Sequence, residues 1–240
     1  MKVHSYGGGV QSRAIVQKYL VGEFERPDLV IFADTGAERE AVYRAVSEDA
    51  KLCAEAGIEF VRVGSGDLAK YPGRYIPVFT LGANGRKGLA RRQCTDVFKV
   101  RPIRRELRRR GVKKAEVWLG ISTDEVYRVR ESDVGWLVNR YPLLEMRMSR
   151  AGCLYYLRAR GVGVLRSACV FCPFQSLAEW GELEGVDLER ALAYDESMRV
   201  DGGKRLFVHP FRMRLRKALQ WSHGGDLSLF PNECSGYCGV

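Results

Sequence analysis

Two cysteines, Cys169 and Cys172, stand at CxxC spacing in "ACVFCPF", residues 168–174. That separation lets two thiolates share one metal, or lets two thiols act as a redox pair. Cys94 and Cys153 lie in distant segments, and Pro173 directly follows the pair. A site closed by four cysteines, Cys94, Cys153, Cys169 and Cys172, is therefore expected, with Cys234 or Cys238 of the tail as substitutes for the fourth ligand. Four thiolates accept zinc or an iron–sulfur cluster. Cys53 falls at an apolar helix position and reads as core, because a free cysteine behaves as a small hydrophobe.

A second group of residues suits phosphate. "YGGGVQS", residues 6–12, closes a first apolar stretch. Gly7, Gly8 and Gly9 let the backbone approach a phosphate and aim N–H groups at it, with Gln11 and the Ser12 hydroxyl at the start of the next helix. A glycine-rich strand-to-helix turn without a ligand is the alternative. Neither the Walker pattern nor GxGxxG is present, which argues against a P-loop NTPase or a dinucleotide enzyme. Asp34, Thr35 and Gly36 of "ADTGAE" (33–38) end a second strand, where they serve either the same ligand or only a helix N-cap. "KVRPIRRELRRRGVKK" (99–114) places Arg101, Arg104, Arg105 and Arg108 along one face, a surface for several phosphates or a solvated face.

These residues need a frame that brings them to one edge. Apolar strands are expected at residues 2–6, 28–34, 59–65 and 116–122, with helices near 11–21, 38–56 and 99–114. Strands rich in Val, Ile and Phe separated by helices of this length read as βαβ units. The fold class is thus α/β, a parallel twisted sheet with helices on both faces, Rossmann-like, plus a cysteine-containing C-terminal extension. Ligands bind such sheets at the carboxyl ends of the strands. Residues 67–88 read as loop, and the returning strand pattern keeps everything to Ser122 in one sheet. "TDEVYRVRES" (123–132) reads as a mobile polar loop. Two units are expected, a nucleotide-binding domain over 1–150 and a cysteine-rich helical extension over 151–240.

The balance of 39 Lys plus Arg against 29 Asp plus Glu gives +10, which favours polyanionic partners. No apolar run approaches the roughly 20 residues of a membrane span, and the N-terminus lacks a signal-peptide pattern. A cytoplasmic protein without membrane partners is expected, where metal or thiol chemistry is favoured over disulfides.

The glycine loop "GGGVQS" resembles the SGGxDS pyrophosphate loop of the PP-loop ATP pyrophosphatases, in particular their phosphoadenosine-phosphosulfate (PAPS) reductase-like branch. "FADTGAE" (32–38), "QCTDVFKVRPIRREL" (93–107), "GISTDEVYR" (120–128) and "ACVFCPF" follow in that branch's order. Gly7 replaces the usual first serine, Gln11 the usual aspartate, Ser122 a common arginine, and Thr95 the second of two adjacent cysteines. The resemblance implies a nucleotide site of Ser5, Gly7, Gly8, Gly9, Gln11, Ser12, Asp34, Thr35, Gly36, Gly120 and Arg128. It implies an anion or nucleic-acid surface of Arg91, Arg92, Arg101, Arg104 and Arg105. Lys99, Asp34 and Cys234 are its expected catalytic residues, the last in a Glu-Cys pair with Glu233.

The implied cofactors are ATP or another adenine nucleotide with Mg²⁺, and an iron–sulfur cluster in preference to zinc. The implied activity is ATP-dependent adenylation of a nucleobase or nucleic acid, releasing AMP and pyrophosphate, coupled to sulfur transfer from a sulfur donor. The alternatives are a sulfonucleotide reductase that uses Cys234 and a thioredoxin-like reductant, and a non-catalytic nucleic-acid-binding metalloprotein.

Overall fold

The computed structural model describes residues 1–164, 167–198 and 203–222. In chain order its first half contains β1 (Lys2–Tyr6), α1 (Val10–Leu20), β2 (Leu29–Asp34), α2 (Glu40–Glu55), β3 (Glu59–Gly64), β4 (Phe79–Gly82), β5 (Lys87–Leu89) and α3 (Arg101–Arg109). The second half contains β6 (Ala115–Trp118), β7 (Leu137–Arg140), α4 (Pro142–Glu145), α5 (Arg150–Arg158), α6 (Leu177–Gly181), α7 (Gly185–Ser197), β8 (Lys204–Phe207) and α8 (Leu215–Ser222).

Five strands form a wholly parallel sheet in the order β3-β2-β1-β6-β7. The continuous apolar run of β2 explains its central place. Val30 and Phe32 pack into a core with α1, α2 and α5, while Leu29, Ile31 and Ala33 pack on Ile103 and Leu107 of α3. Both faces are thus covered, as the run requires. The strand order reverses between β1 and β6, and in a doubly wound sheet that reversal opens a crevice at the carboxyl ends. Cys53 is fully buried in the first core, as its helix position indicated.

Three readings need correction. Residues 79–89 are not loop: β4 and β5 pair antiparallel, and β8 completes a separate three-stranded sheet on the other side of β4. Asn84-Gly85 turns the hairpin, with Gly85 at φ +78°, and an Asn-Gly pair is the strongest short hairpin signal. The parallel sheet also continues past Ser122, because Leu137–Arg140 pairs with Ala115–Trp118. The long basic helix is divided: Asp96–Val100 is a π-helical turn, and α3 begins only at Arg101, with Pro102 in its first turn. A third core lies beneath the antiparallel sheet, where Phe98, Phe171, Trp180, Tyr194 and Val208 are buried together.

Candidate functional site

The chain leaves β1 through the glycine loop and turns at Gly8, whose φ is +72°. A Cβ there would fall 2.7 Å from Val42 Cγ1, so both conformation and space demand glycine. Gly9 occupies the N-cap of α1 with no side-chain cap, and no acid stands in the first turn. The first N–H groups of an 11-residue helix therefore remain available to an anion. Ser12 Oγ accepts a hydrogen bond from Gly7 N at 3.0 Å, drawing the loop around the helix end. Across the reversal point, a Cβ on Gly120 would lie 3.3 Å from both Ser12 N and Ser12 Oγ, so the ends of β1 and β6 meet closely.

These ends enclose a cavity of about 480 Å³, well sized for a nucleotide. Ser5, Gly7, Gly9, Gln11, Ser12, Thr35, Gly120 and Arg128 line it. Lys99, Arg92, Cys94, Cys169 and Cys172 line its other sides, so the structure gathers most of the expected residues into one chamber.

Gln11 has a physical reason to be an amide. Its Nε2 donates to Glu125 Oε2 at 3.0 Å, and its Oε1 accepts from Arg150 Nη1 at 3.1 Å. Arg128 holds the other oxygen of Glu125 at 2.7 Å, and Asp124 accepts from the backbone N–H of Arg150 at 2.9 Å. A carboxylate at position 11 would confront Glu125 at hydrogen-bond distance, whereas an amide both donates and accepts. Residues 123–128 form a kinked 3₁₀ turn tied to Arg150 and Gln11 through Asp124 and Glu125. Arg150, which completes this group, was not anticipated. Its only sequence signal is its place just after Ser149, the N-cap of α5.

Lys99 sits on the π-helical turn with Nζ 3.4 Å from Glu38 Oε1. Glu38 is fully buried, and its second oxygen, Oε2, has no hydrogen-bond partner among the described residues. Thr35 Oγ1 stands 3.4 Å from Glu38 Oε1 and 3.4 Å from Cys169 Sγ. Burial, reinforced by the charge of Glu38, pushes the Cys169 thiol well above its ordinary pKa. In this state it is a protonated, weakly nucleophilic sulfur. Glu38 was quoted in "ADTGAE" but given no role; its burial beside a lysine is invisible to sequence.

Other expected residues lie elsewhere. Asp34 is outside the cavity: it accepts from Gly36 N and Tyr43 Oη at 2.9 Å each and from Arg62 Nη2 at 2.6 Å. Gly8, turned toward Val42 and Phe32, and Gly36, with φ +72° and a hypothetical Cβ 2.8 Å from Asp67 Cα, are likewise outside. Arg91 is exposed beside the cavity, and Arg101, Arg104 and Arg105 lie along α3. Cys153 is fully buried in the first core, on α5 where it faces α1, and does not line the cavity with the other three cysteines. Among the described residues no group of three or more His, Cys, Asp or Glu side chains is drawn together closely enough to hold a metal ion. Cys94, Cys169 and Cys172 thus share a chamber without forming a closed ligand set. Cys234, Cys238 and Glu233, on which the reductase reading rests, lie outside the described residues.

No helix among the described residues is long and apolar enough to cross a membrane. No family model matches the sequence, and no curated protein does. Matches among solved structures include the U34-tRNA thiolase NcsA from Methanococcus maripaludis with its 4Fe-4S cluster. The likeness covers 100% of this chain and 80% of that one at 15% identity, with a TM-score of 0.45. The chain is a doubly wound α/β protein that gathers its glycine loop, Thr35, Gly120 and Arg128 at the point of strand reversal.

Proposed function

We propose that the protein binds ATP at the glycine loop and adenylates a carbonyl oxygen of a nucleobase, so that a sulfur nucleophile can displace AMP. One observation carries this reading: an uncapped, glycine-turned helix start faces three cysteines across a single nucleotide-sized chamber. The terminal phosphates lie against Gly7, Gly9 and the first turn of α1, with Lys99 and Arg128 offsetting their charge. The substrate oxygen attacks the α-phosphorus; the bond to the bridging oxygen breaks, and pyrophosphate leaves with that electron pair. The sulfur nucleophile then attacks the ring carbon, the C–O bond breaks, and AMP leaves with its electrons. Adenylation turns a poor leaving oxygen into a good one.

Asp124 and Glu125 are the chamber carboxylates that would hold magnesium beside the phosphates, Glu125 by giving up its bond to Gln11 or Arg128. Asp34 is spent on Arg62, Tyr43 and the Gly36 amide. Cys94, Cys169 and Cys172 are the chamber residues suited to an iron–sulfur cluster or zinc, but as placed they do not close around one, and no step is assigned to such a group.

The test is direct. Anaerobically purified protein with Mg·ATP labelled at the α-phosphate, and with sulfide supplied as the sulfur nucleophile, is expected to release AMP and pyrophosphate in equal amounts when RNA or DNA is added. Absence of AMP with every nucleic acid and nucleobase offered would falsify the adenylation reading.

A further inference from the structure

We infer that the small antiparallel sheet, not helix α3, is the docking surface for a nucleic-acid strand whose base enters the cavity. The inference rests on the proposed nucleobase substrate and adds the surface that presents it. The two most basic regions of the described chain differ in where their charge goes. On and just after α3, Arg101 pairs with Asp96 at 2.6 Å, Arg109 with Glu106 at 2.8 Å, and Arg110 with Glu59 and Glu106 at 2.7 Å each. Arg104 is paired with Asp133, and Arg108 lies over the Trp136 ring. That helix is about half neutralised by its own neighbourhood, with Arg105, Lys113 and Lys114 left without a carboxylate partner among the described residues.

The hairpin is not. Arg86, Lys87 and Arg91 on and beside β5, and Lys204 and Arg205 of β8, are all exposed, and none has a carboxylate partner among the described residues. Lys87 and Arg205 are both in register with Leu81, so they flank it on one face of the sheet. Protection of edge strands accounts for Lys87 on β5 and for Lys204 and Arg205 on β8, the sheet's other edge, but not for Arg86 at the turn or for the arginines of the segment leading inward. That segment leads to the chamber. Arg91 is exposed, while the next residue, Arg92, lines the cavity, donates to Thr95 Oγ1 at 2.6 Å and lies over the Phe174 ring. Phe174 and the half-exposed Tyr127 also line the cavity, offering aromatic faces for an entering base. Unpaired cations leading to aromatic rings are the arrangement that tracks a single strand and stacks its bases.

The experiment measures anisotropy of labelled 20-nucleotide RNA, single-stranded DNA and duplex DNA against full-length protein over a series of salt concentrations. The triple variant Arg86→Ala/Lys87→Ala/Arg91→Ala is expected to bind the better single strand tenfold to a hundredfold more weakly. Its log-affinity against log-salt slope should be shallower by about two, roughly 0.7 per lost phosphate contact. Arg109→Ala/Lys113→Ala/Lys114→Ala removes as many charges elsewhere and should stay within threefold of wild type. Circular dichroism and ATP calorimetry confirm that both variants fold; Lys204→Ala/Arg205→Ala provides a second hairpin-sheet variant with the same expected direction. The stronger of the RNA and DNA arms names the strand. The inference is overturned if the two triples weaken binding equally, if the hairpin variants bind as wild type, or if duplex outcompetes both single strands. Hairpin-dependent binding without AMP release would remove the adenylation reading and keep this one; AMP release from a free nucleobase without strand binding would do the reverse.

Discussion

The cavity wall formed by the ends of β1, β2 and β6 is made of backbone, whereas the wall that carries Cys169 and Cys172 is made of side chains fastened to it. Gly7, Gly9, Gly120 and the start of α1 present backbone and small residues whose positions follow from the sheet. The second wall is held by straps. Val170 N donates to Ala37 O at 2.8 Å, and Cys169 forms an isolated bridge with Glu38. Arg190 donates to Glu38 O at 2.9 Å and to Gly36 O at 2.8 Å, while Arg39 reaches back to Gln175. Every strap ends on the turn between β2 and α2. Damage to the first wall should therefore reach the second, and damage to the second should stay local.

The severest break of that asymmetry is Gly8→Val. A β-branched residue at φ +72°, with its Cβ 2.7 Å from Val42, forces the loop open. ATP affinity measured by calorimetry is expected to fall at least a hundredfold, and the labelling rate of the chamber cysteines should change with it. Wild-type ATP affinity in a folded Gly8→Val protein would show that the loop is not the phosphate site.

Acid should weaken the first wall from below. His4 on β1 is fully buried, both ring nitrogens lack partners among the described residues, and burial pushes its pKa down to about 3. The unfolded chain takes up that proton near 6.5 and the folded chain does not, so stability is full above 6.5 and falls as pH drops toward 3. By pH 5 the loss from this residue is about 2 kcal/mol. Urea unfolding of His4→Leu against wild type at pH 7.5 and pH 5 should recover that difference; an equal acid loss in both would mean that His4 does not titrate this way.

A smaller effect sharpens the comparison from the other side. Arg190→Ala removes two hydrogen bonds from a charged donor to backbone carbonyls, and a loss of about 1–3 kcal/mol is expected. Because the strap serves the cysteine wall, Cys169 should alkylate faster while ATP affinity stays within threefold. Loss of ATP binding would mean that the straps also hold the first wall in place.

How far the sequence carried this site depends on what each wall is built from. Glycines, β-branched strands and helix starts act through local conformation, so β1, α1, β2, α2 and β3 and the glycine loop were legible to within a residue or two. Asn84-Gly85 was an equally local signal, and reading 67–88 as loop passed over it. The side-chain contacts that complete the chamber join residues more than a hundred positions apart, as Thr35 with Cys169 and Gln11 with Arg150, and no local pattern encodes them. Arg13 is similar: one residue beyond the glycine loop's Ser12, it is almost wholly buried, binding both oxygens of Asp49 at 3.0 Å and the Gly163 carbonyl at 2.9 Å. The pairing of the basic helix was legible only in part, since Asp96 and Glu106 are sequence neighbours but Glu59 and Asp133 come from other segments.

The cysteines give the mildest and most discriminating test. If metal binding belongs to the second wall alone, Cys169→Ser should lower the iron or zinc content of anaerobically purified protein while leaving ATP affinity within twofold. Cys153 lies in the first core, where burial pushes its thiol pKa up to about 11. Cys153→Ser should therefore cost about 1–3 kcal/mol of stability, through a hydroxyl placed among apolar groups, with no change in metal content. Equal metal loss in the two variants would return Cys153 to the ligand set and require α5 to move. Loss confined to Cys94, Cys169 and Cys172 would assign the metal to the three cysteines that line the chamber.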